Sequence, residues 1–258
     1  MDKMKKEGKY IYGVIETKQE RNFGPLGIGE RGDEVMTIGY DDLSMIVSNY
    51  PMVKVAASRE NLLAHQKVIE KAMMEFDSVL PVRFGTIASS ADEIRNLMDK
   101  RRMEFKIALN DMQYKVELGV KGIWKNMQGI FDEIVKENTI IKKRKEALKR
   151  GSGNNTRETI ELGRLVKSAL DEKKEKETDD IISRLRRSCC EYKLNITAGD
   201  EMFINAAFLV SKSREKEFDN IMDDLNDQYQ KRVKFLYAGP LPVFNFVNIV
   251  IYPEEWEK

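Results

Sequence analysis

The sequence predicts an α+β fold in two domains, residues 1–113 and 114–258. The length of 258 residues suits either one large domain or two of ordinary size. Runs of β-branched and aromatic residues, typical of strands, alternate with stretches whose apolar residues recur every three or four positions, as on one helix face. From residue 114 the predicted order is β-α-α-β-β-α-β. This order predicts a modified ferredoxin-like fold whose first crossover is enlarged to a helical hairpin.

The N-terminal domain is predicted to begin with three strands. Aromatic and β-branched residues over 9–16 indicate the first strand, and a loop rich in glycine and charge follows over 18–33. Two short strands, 35–40 and 43–48, surround Asp41-Asp42, which suits a hairpin turn.

Two helices separated by an extended segment are predicted to complete this domain. The first covers 58–77, because Ser58 suits an N-cap and apolar residues follow at helical spacing. The extended segment is 79–84, in which Pro81 favours an edge or terminal position. A capping box at 90–93 begins the second helix.

The C-terminal domain is predicted to begin with a strand at 114–120, where apolar and polar residues alternate. A helical insertion follows over about 125–188, in which the first helix runs through Lys142–Arg150 to a break at Gly151–Asn155. The remaining predicted elements are strands at 191–197 and 203–210, a helix at 211–229, a strand at 232–237 and an apolar tail at 244–252 that packs back on the protein.

Composition excludes several classes of function. The 44 basic and 43 acidic residues leave a net charge of +1, which argues against a nucleic-acid binder. No run of 18 apolar residues exists and the polar start is not a signal peptide, so we expect a cytoplasmic protein without membrane contact. The two cysteines, Cys189 and Cys190, match no zinc pattern and suit a reducing compartment.

His65 is the only histidine, so triad and metalloenzyme chemistry are poorly supplied. It lies on the apolar face of the 58–77 helix, three residues after Leu62 and four before Ile69. We therefore predict a hydrogen-bonded core or interface histidine. No catalytic, cofactor-binding or metal-binding residue is predicted, and we expect that the protein is not an enzyme.

Three further motifs have structural interpretations. Gly27–Gly32 fits G-x-G-x-x-G but does not directly follow a strand or open a helix, so a connecting loop is predicted rather than a dinucleotide site. Lys142–Arg150 is predicted as a solvated helix end, with an acidic protein partner as the alternative. Cys189-Cys190 is predicted as a buried structural pair, with a redox pair as the alternative.

Five segments of the sequence resemble one family, the gas vesicle protein F/L family. The resemblance is most specific at Leu80-Pro81-Val82-Arg83-Phe84-Gly85-Thr86. The C-terminal segment 239–247 resembles the family's "GPWPPYxF" element, with Leu241 in place of Trp, Val243 in place of the second Pro and Phe244 in place of Tyr. The other three segments are Tyr10–Val14, the Gly27-Ile28-Gly29 loop with the hairpin that follows it, and the His65 helix over Leu63–Ile69.

The resemblance implies an accessory or minor structural protein that acts in gas vesicle assembly. The implied partners are the hydrophobic gas vesicle shell protein (GvpA-type), whose aggregation it limits during nucleation, and other gas vesicle accessory proteins. An apolar shell subunit aggregates unless its surface is covered, so this role is physically reasonable. The alternative is a ferredoxin-like sensor that binds a nucleotide or small ligand. No cofactor is implied.

Seven residues are predicted to contact a partner or to lie at the domain interface. Arg83 stands in an apolar sequence, so we expect it to pair with an internal carboxylate or to meet a partner, and we expect Arg83→Ala to disrupt folding or assembly. The seven residues are His65, Pro81, Arg83, Phe84, Gly85, Phe244 and Phe246.

Overall fold

The computed structural model describes residues 6–150 and 156–251, which form a mixture of helices and two sheets. The predicted α+β class is confirmed. The chain divides into two compact units: residues up to Glu117 together with those from Pro240 onward, and Leu118–Gly239. The sequence predicts a single boundary at 113/114 instead. The difference at the C-terminal end follows from contacts within the first unit, such as the bridge between Val82 and Ile249.

The first unit contains one sheet in the order β2-β3-β4-β1-β5, with β6 also paired to β1. β5 therefore lies at an edge, as Pro81 predicts. The loop predicted at 18–33 contains the short strand β2. The strands are β1 (Glu7–Glu16), β2 (Asn22–Gly24), β3 (Val35–Tyr40), β4 (Leu43–Pro51), β5 (Leu80–Pro81) and β6 (Ile87–Ala88).

The described helices of this unit are α1 (Arg59–Met73), α2 (Ala91–Lys100) and α3 (Arg102–Asp111). The predicted N-caps are confirmed, because the Ser58 hydroxyl accepts the Asn61 N–H and the Ser90 hydroxyl accepts the Glu93 N–H. The prediction of one second helix after the capping box at 90–93 is wrong. The helix is interrupted at Arg101, whose backbone is not helical.

The sheet of the first unit separates two apolar clusters. Tyr10, Tyr12 and Ile15 of β1 pack with α1 on one face, whereas Ile11 and Val14 pack with α2 and α3 on the other. The side chains of β1 alternate between the two faces of the sheet, but the alternation shifts by one residue within the strand. The shift occurs because the pairing of β1 with β4 is irregular between Ile11 and Gly13.

The glycine-rich segment Gly27–Gly32 is a loop, as predicted, and β3 begins shortly after it at Val35. The Ile28 N–H donates to the Tyr12 hydroxyl at 2.8 Å, and the Gly27 N–H donates to the Asp33 carbonyl at 2.9 Å. At Gly29 φ is +89°, and a Cβ would lie 2.8 Å from the Tyr50 ring. These glycines therefore meet the geometric needs of a turn, and no helix follows that would hold a pyrophosphate.

The second unit contains a sheet in the order β10-β7-β9-β8. Each helical crossover, from β7 to β8 and from β9 to β10, joins strands that have one other strand between them. This is the split arrangement behind the ferredoxin-like assignment, which stays a prediction. The elements are β7 (Lys115–Trp124), α4 (Met127–Glu137), α5 (Thr139–Arg150), α6 (Thr156–Leu185), β8 (Glu191–Leu194), β9 (Met202–Ser211), α7 (Glu215–Tyr229) and β10 (Val233–Leu241).

Two predictions in this unit need correction, and a third falls outside the described residues. The first insertion helix is broken at Asn138, whose side chain accepts the Ile140 and Ile141 N–H groups and so begins α5. The last strand continues to Leu241 rather than ending at 237. The break predicted at Gly151–Asn155 lies outside the described residues. In the described parts of the chain, no helix is both long and apolar enough to cross a bilayer.

Candidate functional site

A cavity of about 390 Å³ in the first unit is lined by three segments that are distant in the sequence. They are α1, the chain that continues from β5, and the segment that follows β10. Five of the seven residues predicted as contact positions line it: His65, Pro81, Arg83, Phe84 and Phe244. The other lining residues are Leu62, Gln66, Val247, Asn248 and Ile249.

β5 forms one wall of the cavity, and its close packing against β1 holds this wall in place. Pro81 pairs with Gly13, where a Cβ would lie 2.8 Å from the Leu80 carbonyl oxygen. Beyond β5, the Val82 N–H donates to the Tyr12 carbonyl at 2.9 Å, and Val82 also bridges to Ile249 in parallel. The segment after β5 therefore connects the sheet to the C-terminal wall of the cavity.

His65 is buried at the base of the α1 wall, against the aromatic residues of β1. Its Nδ1 lies 2.8 Å from the Tyr10 hydroxyl, and its ring stacks on Tyr12 with centroids 5.5 Å apart. The Tyr10 hydroxyl also accepts the Gly85 N–H at 3.1 Å, and φ at Gly85 is +87°. The predicted hydrogen-bonded core histidine is therefore confirmed at Nδ1.

The electrostatics of this cluster favour neutral side chains. Burial lowers the pKa of His65 to about 4, although the nearby Val82 carbonyl opposes this effect. Nε2 of His65 is buried and has no hydrogen bond of ordinary geometry within the described residues. Burial also raises the pKa of Tyr10 above its usual value. At neutral pH the imidazole is therefore uncharged and cannot act as a cation.

The expectation that Arg83 pairs with an internal carboxylate across the domain interface, or meets a partner, stays a prediction. The Arg83 side chain is exposed, and no described carboxylate forms an ion pair with it. Its backbone is fixed, because its carbonyl accepts the Thr86 hydroxyl at 2.7 Å. Since water solvates the guanidinium, no internal partner is required. Among the described residues that line the cavity, Arg83 is the one cation.

The C-terminal wall is held by a buried carboxylate that the sequence interpretation missed. Glu117 of β7 is buried and accepts two hydrogen bonds from Asn245, from its N–H at 2.8 Å and from its side-chain amide at 2.6 Å. Alternation over 114–120 places Glu117 on the polar face, so the pattern gives no signal for its burial.

The two tail phenylalanines differ in position. Phe244, beside the Glu117–Asn245 contact, has a ring centroid 6.0 Å from that of His65, and its side chain is 41% exposed. Phe246 is half-buried and does not line the cavity, nor does Gly85, whose role is the hydrogen bond to Tyr10. The cavity therefore offers apolar rings, one guanidinium and a neutral imidazole, a set that suits binding rather than proton transfer.

Within the part of the chain that the structure describes, the other candidate groups form no second chemical site. Cys189 is half-buried and Cys190 is exposed, so the predicted buried pair is wrong, and neither forms a disulfide. Burial raises the pKa of the Cys189 thiol, which disfavours a reactive thiolate. Arg144 in the basic segment pairs with Glu161 at 3.0 Å on exposed helix faces. Among the described residues, no group of three or more His, Cys, Asp or Glu side chains is arranged to hold a metal ion.

Comparison with known families decides where this chain belongs. Residues 8–248 match the profile of a family described as gas vesicle synthesis protein GvpL/GvpF. The chain belongs to the GvpL/GvpF family. The predicted resemblance is confirmed, and the match includes nearly all the residues that line the cavity.

Relatives and solved structures agree with this assignment. The chain is 26% identical to gas vesicle protein F1 of Halobacterium salinarum, over 96% of this chain and 97% of the relative. It is 24% identical to gas vesicle protein F of Microcystis aeruginosa, over 94% and 99%. The crystal structure of GvpF from Anabaena has a TM-score of 0.81 at 22% identity, covering 95% of this chain and all of that chain. GvpF of Microcystis aeruginosa gives 0.78 at 23% identity, covering 94% and 99%. These structures share the fold of this GvpL/GvpF member.

Proposed function

We propose that this protein is a non-enzymatic accessory protein of gas vesicle assembly that binds the hydrophobic shell subunit (GvpA-type) and limits its aggregation in the cytoplasm. Membership of the GvpL/GvpF family makes the role one in gas vesicles. The binding mechanism is our inference. The observation that supports it is the meeting of three family-like segments at a single cavity.

The chemistry of the cavity supports an apolar protein partner. Leu62, Phe84, Phe244 and Val247 present apolar surface along an opening that water reaches. Apolar area removed from water contributes about 25 cal/mol per Å² to binding before the costs of association. Aromatic side chains and arginine are also the residues that most often dominate binding at protein interfaces.

Arg83 adds selectivity to this apolar surface. Its exposed guanidinium has no carboxylate partner among the described residues and can meet an acidic group or a main-chain carbonyl of the shell subunit. His65 contributes a buried, uncharged wall rather than a second cation. A partner segment with apolar residues next to one acceptor group fits this arrangement.

Co-expression with the shell subunit tests the proposal. We expect the shell subunit to remain in the soluble fraction and to co-purify with this protein. A shell subunit that is equally soluble without this protein would contradict the proposed role. The alternative sensor function predicts instead that one nucleotide or metabolite raises the melting temperature by several degrees in a thermal-shift screen.

A further inference from the structure

The strand β10 forms an uncovered edge of the second unit's sheet. It is the first strand in the order β10-β7-β9-β8, so no described strand pairs with its outer side. The residues from Leu236 to Gly239 are all exposed, and Leu236 and Tyr237 expose 43% and 39% of their surface. An exposed strand edge offers unpaired N–H and C=O groups to another strand.

Over most of its length this edge lacks the usual protection against strand pairing. Natural sheets protect an edge with charged residues, with proline or by keeping the strand short. β10 has nine residues, and the stretch from Phe235 to Gly239 is uncharged. Lys234 precedes this stretch and Pro240 follows it, so both limit where a partner can pair. Alternate residues of a strand direct their backbone groups to opposite sides, so about three residues of 233–239 face outward.

The two faces of β10 meet different surroundings. Phe235 and Tyr237 point to α7, where their ring centroids lie 6.3 Å from that of Tyr229 and 6.0 Å from that of Phe218, respectively. Because side chains alternate along a strand, Lys234 lies on the opposite face. A strand added to this edge therefore meets the surface of α7 on one face and the Lys234 ammonium on the other.

The surface of α7 beside Tyr237 is acidic. The Tyr237 hydroxyl donates to the Asp219 carboxylate at 2.6 Å. Burial raises the pKa of Tyr237 above its usual value, and Asp219, Glu215 and Asp223 add to this increase, so all three carboxylates lie near the hydroxyl. They recur every four residues, which places them along one side of the helix. Within the described part of the chain, no cation forms an ion pair with any of them.

We propose that β10 binds an extended segment of a partner protein by strand addition, and that this segment alternates basic and apolar residues. Its lysines or arginines face the carboxylates of Glu215, Asp219 and Asp223. Its apolar residues lie on the face of Lys234, where a second cation would be repelled. The backbone hydrogen bonds attach the segment to the sheet, and the charges of α7 select its sequence.

A second copy of this chain does not fit this edge. On the α7 face its β10 presents Phe235 and Tyr237 rather than cations. Antiparallel pairing about a two-fold axis perpendicular to the sheet also places the α7 helices of both copies on the same side, with their acidic residues near each other. Like charges in proximity disfavour that arrangement. The charge of α7 therefore selects a basic partner over self-association.

A synthetic peptide of alternating valine and lysine, capped at both ends, tests the proposal on the full chain. Fluorescence anisotropy of the labelled peptide measures its affinity. A peptide of the same composition with all its lysines consecutive is the control for charge alone, and it should bind about fivefold more weakly or less. Equal affinity of the two peptides would overturn the proposal. The cavity of the first unit takes no part in this binding, so the test can fail while the proposed function holds.

A charge reversal on α7 tests which carboxylates select the peptide. Asp223→Lys is expected to weaken binding about fivefold or more, because it replaces an attraction by a repulsion. Asp224→Lys is the matched control: it is also an exposed acidic residue of α7 and changes the net charge equally, but it is not among the groups around Tyr237. Equal weakening by the two variants would contradict selection by this side of α7.

Hydrogen exchange locates the bound peptide. Strand addition predicts slower exchange within residues 233–239 in the complex, because the outward amides gain hydrogen-bond partners. Exchange in β8, at the other end of the sheet, should not change. Protection of β8 instead, unchanged exchange throughout, or self-association that protects 233–239 without the peptide would each overturn the proposal.

Discussion

The hydroxyl of Tyr10 and Nδ1 of His65 lie 2.8 Å apart, and both side chains are buried. The same hydroxyl accepts the Gly85 N–H. One oxygen atom on β1 therefore links α1 to the segment that follows β5. The position of two cavity walls depends on this oxygen.

Replacing Tyr10 with Phe removes the hydroxyl and leaves the buried Nδ1 of His65 and the Gly85 N–H without their partner. We expect the free energy of unfolding to fall by about 1–3 kcal/mol, because each of these groups loses a hydrogen bond. Urea denaturation measures the change. Tyr40→Phe is the control, because its hydroxyl bonds the exposed Asp99 at the surface, and it should cost less. Equal losses in the two variants would contradict the linking role of Tyr10.

The burial of His65 predicts a pH dependence of stability. Its pKa is lowered from 6.5 to about 4 in the folded state, so the unfolded chain binds the proton more readily. The stability that His65 contributes is full above pH 6.5 and is lost as the pH falls toward 4, by roughly 3 kcal/mol in total. Because the sequence has no other histidine, His65→Gln should remove most of the slope between pH 5 and 6.5. An unchanged slope would contradict the buried neutral imidazole.

The contact of Glu117 with Asn245 predicts that Asn245→Ala loosens the segment bearing Phe244. The variant removes the side-chain amide donor and leaves the buried Glu117 carboxylate with the backbone N–H of residue 245 alone of these two donors, so we expect a loss of about 1–3 kcal/mol. Faster hydrogen exchange over residues 244–249 should accompany it. Asn248→Ala, at an exposed asparagine three residues away, is the matched control. Equal exchange in both variants would show that Glu117 does not hold this wall.

The sequence suggests that Arg83→Ala disrupts folding or assembly. Because the Arg83 side chain is exposed, we expect the variant to fold normally. Arg83→Ala should change stability by no more than about 0.5 kcal/mol, because the side chain is solvated. It should still weaken binding of the shell subunit. Arg164→Ala, at an exposed arginine of α6, is the control for lost positive charge. Unfolding of the Arg83 variant would contradict the exposed position, and unaltered binding would remove Arg83 from the proposed site.

Features encoded by neighbouring residues could be predicted from the sequence. The caps at Ser58 and Ser90 depend on amides within three residues, and the aromatic run of β1 forms a strand by local preference. The Gly27–Gly32 loop was likewise identifiable from the strand that follows it.

Features that depend on distant contacts could not be predicted. Glu117 is buried because Asn245, 128 residues later, donates twice to it. Arg83 stands among apolar residues in the sequence but points to solvent. The resemblance identified five of the residues that line the cavity. That these residues lie around one cavity could be seen only in the structure.

The most direct test of the central claim is the affinity of the purified protein for the GvpA-type shell subunit when the cavity is altered. Phe244→Ser removes an exposed ring from the cavity, whereas Ile107→Ser removes an exposed apolar side chain from α3 in the same unit. The proposed site predicts that Phe244→Ser weakens binding about tenfold or more while Ile107→Ser does not. Equal affinity of the two variants would contradict the claim that this cavity binds the shell subunit.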